Sequence, residues 1–320
     1  MPEVTVVIPN YNGMTYLDTC LASLKRQTIE DFVILVVDNG STDGSLSWLA
    51  EHYPEVRVLP LDKNYGFCVA VNRGIQAADT PYVILLNNDT EAEPEFVEAL
   101  LAAVRQSDRI FSCQAKMMDF AKRGLMDDAG DFYCAFGWGF ARGKGQPQQR
   151  YDRDVDIFAA CAGAAIYKRV VFDEIGWFDE KHFAYLEDID LGYRARLYGY
   201  VNRFASSARV YHMGSATTGS RHNGFKVRLS ARNSLYVAYK NMPLPQLILN
   251  SPLLALGILG KLLFFSRKRL GKEYRQGIAE GFSLCKRENK VCFDRTRRRN
   301  SWRLQPELWK NVIVAIRRKM

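Results

Sequence analysis

Several polar residues that close apolar runs carry the chemistry open to this chain. Asp38 follows Ile34-Leu35-Val36-Val37, and Asp89 ends Asn87-Asn88-Asp89 after Val83-Ile84-Leu85-Leu86. Glu187 and Asp188 follow the aromatic-rich stretch from Trp177 to Tyr185, and His212 ends Val210-Tyr211-His212. Short apolar runs that stop at Asp or Asn read as buried parallel strands delivering side chains to one edge of a sheet. That edge is where open α/β sheets bind ligands. Carboxylates gathered there repel one another unless a cation joins them. A hard divalent ion, Mg²⁺ or Mn²⁺, held together with a diphosphate, suits such a set.

The first two turns offer a nucleobase site. Pro9-Asn10-Tyr11-Asn12-Gly13 supplies an aromatic ring and an amide, and the turn from Asp38 to Gly44 supplies a carboxylate with Ser41 and Asp43 close behind. A ring face and a carboxylate together can stack on a base and accept its ring N–H, as a pyrimidine or guanine requires. The same residue types also make ordinary turns, so both readings stand. Asn87-Asn88-Asp89 provides one carboxylate for a cation shared with phosphates, or a turn ahead of the helix at Pro94. Glu187, Asp188 and Asp190 fall within four positions and repel unless something uses them. With a helix starting near Glu187, Asp188 lies in its first turn, exposed at a cleft, placed to take a proton from an attacking hydroxyl. His212 is either a structural histidine or a metal ligand.

The elements that must position these residues follow from the apolar pattern. Strands are expected at Val4–Ile8, Phe32–Val37, Val56–Leu59 and Tyr82–Leu86, alternating with helices at Thr15–Lys25, Ser45–Glu51, Asn64–Ala78 and Pro94–Val104. Alternation of this kind predicts a doubly wound, mostly parallel sheet flanked by helices. Ile110 to Tyr167 is less regular and rich in Gly and aromatics. Glu187–Tyr198 reads as a helix with acids at its positive end, followed by short strands at Val201–Phe204 and Val210–His212. No G-x-G-x-x-G and no G-x-x-x-x-G-K-[ST] occurs, which argues against a dinucleotide-binding dehydrogenase or a P-loop enzyme.

The 320 residues carry a net charge of +9, unevenly spread. From Asn241 onward there are 18 Lys+Arg and 5 Asp+Glu, a net of +13; before it there are 26 and 30, a net of −4. A mildly acidic body, residues 1–240, therefore precedes a basic helical extension, residues 241–320. Within the extension, Leu247–Phe265 is apolar apart from Asn250, Ser251, Pro252 and Lys261, marginal as a membrane span. Trp309, Val312, Ile313 and Ile316 are spaced for one helical face, and Arg267-Lys268-Arg269 and Arg297-Arg298-Arg299 flank the apolar segments. That combination suggests a peripheral or monotopic seat on an anionic membrane surface, against which stands packing on the body or a partner. The apolar stretch and the lack of any nucleic-acid motif argue against nucleic-acid binding. Seven cysteines without C-x-x-C spacing fit reduced thiols in the cytoplasm, and no secretory signal is read at the N-terminus.

Taken as a set, Pro9-Asn10-Tyr11-Asn12-Gly13, Val36 to Ser45, Asn64-Tyr65-Gly66-Phe67, Leu86-Asn87-Asn88-Asp89 and Glu187-Asp188 resemble the family 2 glycosyltransferases over roughly residues 3 to 240. The likeness is to the bacterial rhamnosyltransferase-like branch that builds cell-surface polysaccharides. It implies a GT-A fold, Rossmann-like, and inverting, metal-dependent transfer of a sugar, rhamnose being the candidate. The donor would be of dTDP, UDP or GDP type, and the acceptor a glycan or polyprenyl-linked hydroxyl at the inner face of the cell membrane. By position, the resemblance assigns Pro9, Tyr11, Asn12, Asp38, Asn39, Ser41, Asn64, Gly66, Asn88 and Gly163 to the nucleotide sugar. Asp38 would contact the base, and Gly163, within Cys161-Ala162-Gly163-Ala164, would face the donor sugar. Asp89 and His212 would hold Mg²⁺ or Mn²⁺, and Asp188 would be the catalytic base beside Glu187. Asn87 stands where the family's D-x-D motif has its first Asp. The competing expectation is a catalytically silent, membrane-bound assembly factor, which has no need to keep clustered carboxylates. A nucleotidyltransferase would need a basic phosphate loop, and Pro9 to Gly13 holds no Lys or Arg.

Overall fold

The computed structural model describes residues 2–214 and 223–317. Its first half follows the alternation read from the sequence: β1 (Val4–Asn10), α1 (Met14–Leu24), β2 (Phe32–Asp38), α2 (Ser45–His52), β3 (Arg57–Pro60), α3 (Phe67–Gln76) and β4 (Tyr82–Leu86). β1 lies between β2 and β4 and runs parallel to both, with β3 parallel to β2 at the edge. Period-two alternation then sorts the side chains to two faces. Val4, Val6 and Ile8 meet Leu17, Leu21 and Leu49, while Val7, Leu35 and Val37 meet Val71 and Ile75. Both faces are covered by helices, which is why β1, β2 and β4 are mostly apolar. Gly74 of α3 lies so close to β1 that a Cβ there would run into the Val7 side chain.

The second half departs from the sequence expectation. A short β5 (Thr90–Ala92) and α4 (Phe96–Val104) lead into β6 (Ile110–Asp119), a ten-residue central strand in a stretch read as irregular. Its polar Ser112, Gln114 and Lys116 are buried and break the apolar run that would have announced it. Each finds a partner far along the chain: Ser112 bonds Asn202, the Gln114 side-chain oxygen accepts the Cys161 N–H at 2.7 Å, and Lys116 pairs with Asp152. Next come β7 (Met126–Asp128), the hairpin β8 (Asp131–Tyr133) and β9 (Gly139–Ala141), β10 (Val155–Ile157), β11 (Ala164–Lys168) and α5 (Val171–Ile175). α6 (Glu187–Tyr198) begins and ends where expected. The two short strands expected after it form a single β12 (Val201–His212), interrupted by a bulge between Ala205 and Arg209. The sheet order is β10-β12-β6-β11-β4-β1-β2-β3, with β11 antiparallel to both β4 and β6. The sheet is thus parallel in one half and mixed in the other.

The basic extension folds back on this body. α7 (Gly224–Asn241) runs into α8 (Leu244–Arg267), α9 (Gly271–Leu284) and α10 (Arg295–Arg317). Leu304 and Leu308 of α10 share a core with Tyr133, Phe158, Ile189, Tyr193 and Leu197. Val312 joins that core, unlike Trp309, Ile313 and Ile316, which face outward, so the helical face expected from their spacing is split.

Candidate active site

The carboxyl ends of β1, β2 and β4 open onto a cavity of about 840 Å³, lined across from them by α6, the β8–β9 hairpin and the start of α7. A chain of amides braces the strand ends. Asn88 donates to the Asn10 side-chain oxygen at 2.7 Å, and Asn10 donates to Asp38 at 2.8 Å. The other Asp38 oxygen accepts the Ser41 N–H at 3.0 Å. Asp38 is 0% exposed, so here its carboxylate ties β1 to β2 and does not reach the cavity. Asn12 and Ser41 likewise lie outside the lining: Asn12 accepts the Thr42 N–H at 2.8 Å and donates its own N–H to the Ser41 hydroxyl at 2.9 Å. Pro9, Tyr11, Asn39, Asn64, Gly66, Asn88 and Gly163 do line it. Asn39 clasps the next turn, donating to Asn64 and the Gly66 carbonyl at 3.1 Å each and accepting the Tyr65 N–H. Gly66 has φ +90 and abuts Phe183, a position that a side chain would strain.

Asp89 and His212 are brought together by strand pairing. β5 runs antiparallel to β12 with Thr90 opposite His212, and the imidazole Nε2 lies 3.3 Å from an Asp89 oxygen. On its other side, Nδ1 meets Asp127 at 2.8 Å. Burial alone would lower the His212 pKa, but the bonds to Asp127 and Asp89 overcome it and lift the group to about 10. The two carboxylates thus call for positive charge at this spot. Asp127 on Nδ1 is also the partner that orients a metal-binding imidazole and turns Nε2 to the ion. Oxygen from Asp89 and nitrogen from His212, with room for phosphate oxygens, fits Mg²⁺ or Mn²⁺.

Glu187 and Asp188 are delivered by a strained loop. Phe183, Tyr185 and Leu186 all have positive φ (61°, 72° and 66°), conformations that cost about 1–3 kcal/mol each unless the surroundings impose them. Asn233 of α7 imposes them: it is 0% exposed, and its amide donates to the carbonyls of His182, Ala184 and Tyr185 at 3.1, 2.9 and 2.7 Å. Asp188 faces the cavity, half-buried rather than open as expected, and its own helix N-terminus contributes the Ile189 N–H at 2.7 Å. Burial raises its pKa, and bonds from Ile189 and Asp131 oppose that rise. Glu187 is pushed up to about 8 by burial and by the Asp188 charge.

Asp190, read from sequence as the third member of this cluster, turns the other way. It accepts from Arg194 at 3.0 Å, Lys240 at 2.9 Å and Asn241 at 2.7 Å, and these charges hold it ionised despite complete burial. Helical rotation separates it from Asp188, and it is a structural ion-pair hub.

Sequence reading passed over Asn10, Asp127, Asp128 and Asp131. The last two line the cavity beside Cys161, their ligand atoms within 4.8 Å of one another. Burial pushes Asp128 up to about 7, and burial with the charges of Asp128 and Asp188 holds Asp131 well above the ordinary range. The hydrogen bond between Asp131 and Asp188 raises Asp131 further and lowers Asp188 against the effect of its burial. The run Met126-Asp127-Asp128-Ala129-Gly130-Asp131 carried the signal, but inside a stretch with no readable period.

Residues 5–176 match the model of glycosyl transferase family 2, more than half of the chain. The chain is 30% identical over 240 residues to the N-acetylglucosaminyl-diphospho-decaprenol L-rhamnosyltransferase of Mycobacterium tuberculosis, covering 67% of this chain and 77% of the relative. Among solved structures, S. aureus TarS 1-349 in complex with UDP-GlcNAc superposes with a TM-score of 0.59 at 16% identity, covering 90% of this chain and 83% of that one. The mannosyltransferase PcManGT from Pyrobaculum calidifontis, in complex with GDP-Man and Mn²⁺, gives 0.52 at 15% identity, over 88% and 85%. With its parallel strand ends, acidic cavity and family match, the chain belongs to glycosyltransferase family 2 and is a glycosyltransferase of GT-A fold.

Proposed function

We propose that this glycosyltransferase moves L-rhamnose, with inversion, from a thymidine diphosphate donor to a hydroxyl of a polyprenyl-linked glycan. The observation that carries the reading is Asp188, presented by a strained, pinned loop into the same cavity as the turns after β1 and β2 and the Asp89–His212 pair. Tyr11, Asn39, Asn64 and Gly66 form the wall for base and ribose. Asp38 acts one step behind it, holding Asn10 and through it Asn88, which stands beside Asp89. Gly163, without a side chain, leaves space for the donor sugar next to Asn87.

The chemistry follows from that placement. The Asp188 carboxylate takes the proton of the acceptor hydroxyl as its oxygen attacks the anomeric carbon from the face opposite the diphosphate. The new C–O bond forms while the bond to the phosphate oxygen breaks, and configuration inverts. Such general-base help is worth about 10²–10⁴-fold. Asp89 and His212 would hold the divalent cation, which when bound offsets the charge left on the diphosphate. The rhamnosyl group and the lipid-linked acceptor are those in the name of the mycobacterial relative. The extension from residue 241 on would seat the enzyme at the cytoplasmic face of an anionic membrane, where such an acceptor resides.

The test is a thermal-shift screen with dTDP, UDP, GDP, CDP and ADP, with and without Mn²⁺, followed by transfer assays with the matching sugar donors. Saturation at a hundred dissociation constants adds about 2.7 kcal/mol of stability. A Mn²⁺-dependent shift with dTDP and β-to-α inversion of the transferred sugar by NMR are expected. A shift with another nucleotide only would refute the thymidine donor, and no shift with any would favour an assembly role.

A further inference from the structure

Among the described residues α8 is the one helix long and apolar enough to cross a membrane. It meets the protein through two polar side chains near its start, Gln246 and Asn250, and through Leu247, Leu253, Leu254, Ile258, Leu262 and Phe265 farther along. Gln246 and Asn250 are fully buried and bond to α10: Gln246 donates to the Gln305 side-chain oxygen at 2.8 Å and to the Ser301 carbonyl at 3.0 Å. Gln305 and Trp309 both donate to the Asn250 oxygen, at 2.8 and 3.0 Å. The outward side carries Leu244, Ile248, Leu256, Leu259 and Leu263, each 54–63% exposed. A surface helix in water turns polar side chains outward. The polar network also decides the orientation. It fastens the first turns of α8 to α10, and Ile258, Leu262 and Phe265 pack its second half against Val227, Ala231 and Tyr274, so the helix cannot thread a bilayer without breaking both sets of contacts, and its outer face is the side open to lipid.

α10, bonded to α8 through these side chains, carries an exposed apolar stripe of its own. Trp302, Trp309, Ile313 and Ile316 are exposed at helical spacing, while Leu304, Leu308 and Ala315 point inward. Arg303, Lys310 and Arg317, seven residues apart, are exposed one position beyond Trp302, Trp309 and Ile316, and so form a cationic edge along the apolar stripe. Glu307, the only acidic residue of α10, turns to the body and pairs with Arg196 at 2.7 Å. Arg267, Lys268 and Arg269 add exposed positive charge at the end of α8.

We infer that the outer faces of α8 and α10 form a platform that lies in the headgroup layer of an anionic bilayer, with the leucines inserted and the basic edge on lipid phosphates. Tryptophans at a membrane–water boundary and basic residues beside an inserted apolar face are the marks of such a seat. A second copy of the chain fits less well, because a two-fold contact through this face would set the basic edges close to one another. The platform also has a direct link to the cavity. Gly257 of α8 abuts the Phe136 backbone so closely that any Cβ would collide, and Lys261 lies over the Trp138 ring at 5.3 Å. Gly139 and Phe140 of the same hairpin line the cavity. The use of that link, bringing the cavity to a lipid-linked acceptor, rests on the proposed function; the docking itself does not.

The experiment is flotation of the full-length protein with vesicles of phosphatidylcholine alone and of phosphatidylcholine mixed with phosphatidylglycerol, at low and high salt. Wild type should float with the mixed vesicles and be released by salt. The variant Leu256→Asp/Leu259→Asp/Leu263→Asp, and separately Arg303→Glu/Lys310→Glu, should each bind at least about tenfold more weakly while keeping the nucleotide-induced thermal shift of wild type. Wild type left unbound, or variants that bind equally well, would overturn the platform. So would a dimer that the leucine variant splits in the absence of any vesicle binding. Vesicle binding without transfer from any nucleotide sugar would defeat the enzymatic reading and leave the platform standing, whereas transfer to a soluble acceptor without vesicle binding would do the reverse.

Discussion

The two halves of the central sheet meet at the β4–β11 pair and serve the cavity by different means. In the parallel half, β3-β2-β1-β4, most contributing residues sit at a strand's carboxyl end or in the turn after it, and these ends brace one another through Asn10, Asp38 and Asn39. In the mixed half, the contributions come from far apart in the chain. Asp188 depends on Asn233 of another helix, and His212 depends on a pairing with β5 and on Asp127 from β7. The contrast teaches that the wall proposed for the nucleotide is a local product of strand–turn–helix units, whereas Asp188 and His212, the groups proposed to react and to hold the cation, are held by tertiary contacts. Damage to the first half should weaken binding, and damage to the second should slow turnover or unfold the chain.

Replacing Asp188 with Asn gives the sharpest test. Turnover should fall by about 10²–10⁴-fold with nucleotide affinity unchanged; retention of more than a tenth of wild-type rate would remove Asp188 as the base. Asp190→Asn, two residues away, should instead act on stability, because Lys240 and Arg194 lose a buried counter-charge. Breaking a buried pair costs about 3–5 kcal/mol, measurable in urea unfolding. A loss of turnover with stability intact would return Asp190 to the reaction and erase the distinction drawn between the two carboxylates.

Asn233→Ala should relax the loop from Phe183 to Leu186. We expect kcat to drop by about 10²-fold, as small misplacements of reacting groups do, with little change in nucleotide affinity. Equal losses in both would mean that the two halves are not separable. Tyr11→Ala probes the other side: nucleotide affinity should weaken by about 1 kcal/mol, the low end for an aromatic stacking on a base, with kcat nearly constant. Isothermal titration and steady-state rates together distinguish these patterns.

The smallest effect concerns acid. Burial would raise the Asp179 pKa, but Lys240 and the Tyr236 hydroxyl overcome it and bring the group down to about 2, against 3.8 in the unfolded chain. Its folded value is depressed, so its stabilising contribution is complete above the unfolded value and is lost as pH falls through about 2. Asp179→Asn should therefore flatten the decline of stability between those two values, followed by thermal melts across that range. An unchanged slope would show that the Asp179–Lys240 pair does not link the loop to α7.

The parallel half was legible because its signals are short-range. An apolar run, a polar turn and a helical period repeat within about 25 residues, so the strand boundaries of β1, β2 and β4 and the start of α6 could be read directly. β6 escaped because its buried Ser112, Gln114 and Lys116 mimic exposed positions, each bonding to a partner distant in sequence. Asp128 and Asp131 escaped for the same reason, since their value lies in proximity to Asp188.

The sequence alone determined the α/β class, the order of the chemistry-bearing motifs and the division between an acidic body and a basic extension. These depend on residue type, period and charge, which need no partners. Only the tertiary structure decided which carboxylate serves which end. It buried Asp38 behind the cavity wall, turned Asp190 into an ion-pair hub, placed Asp127 behind His212, and tied Gln246 and Asn250 of α8 to α10. Burial and pairing are properties of the folded chain's neighbours, and a carboxylate's role follows from what surrounds it more than from where it stands in the sequence.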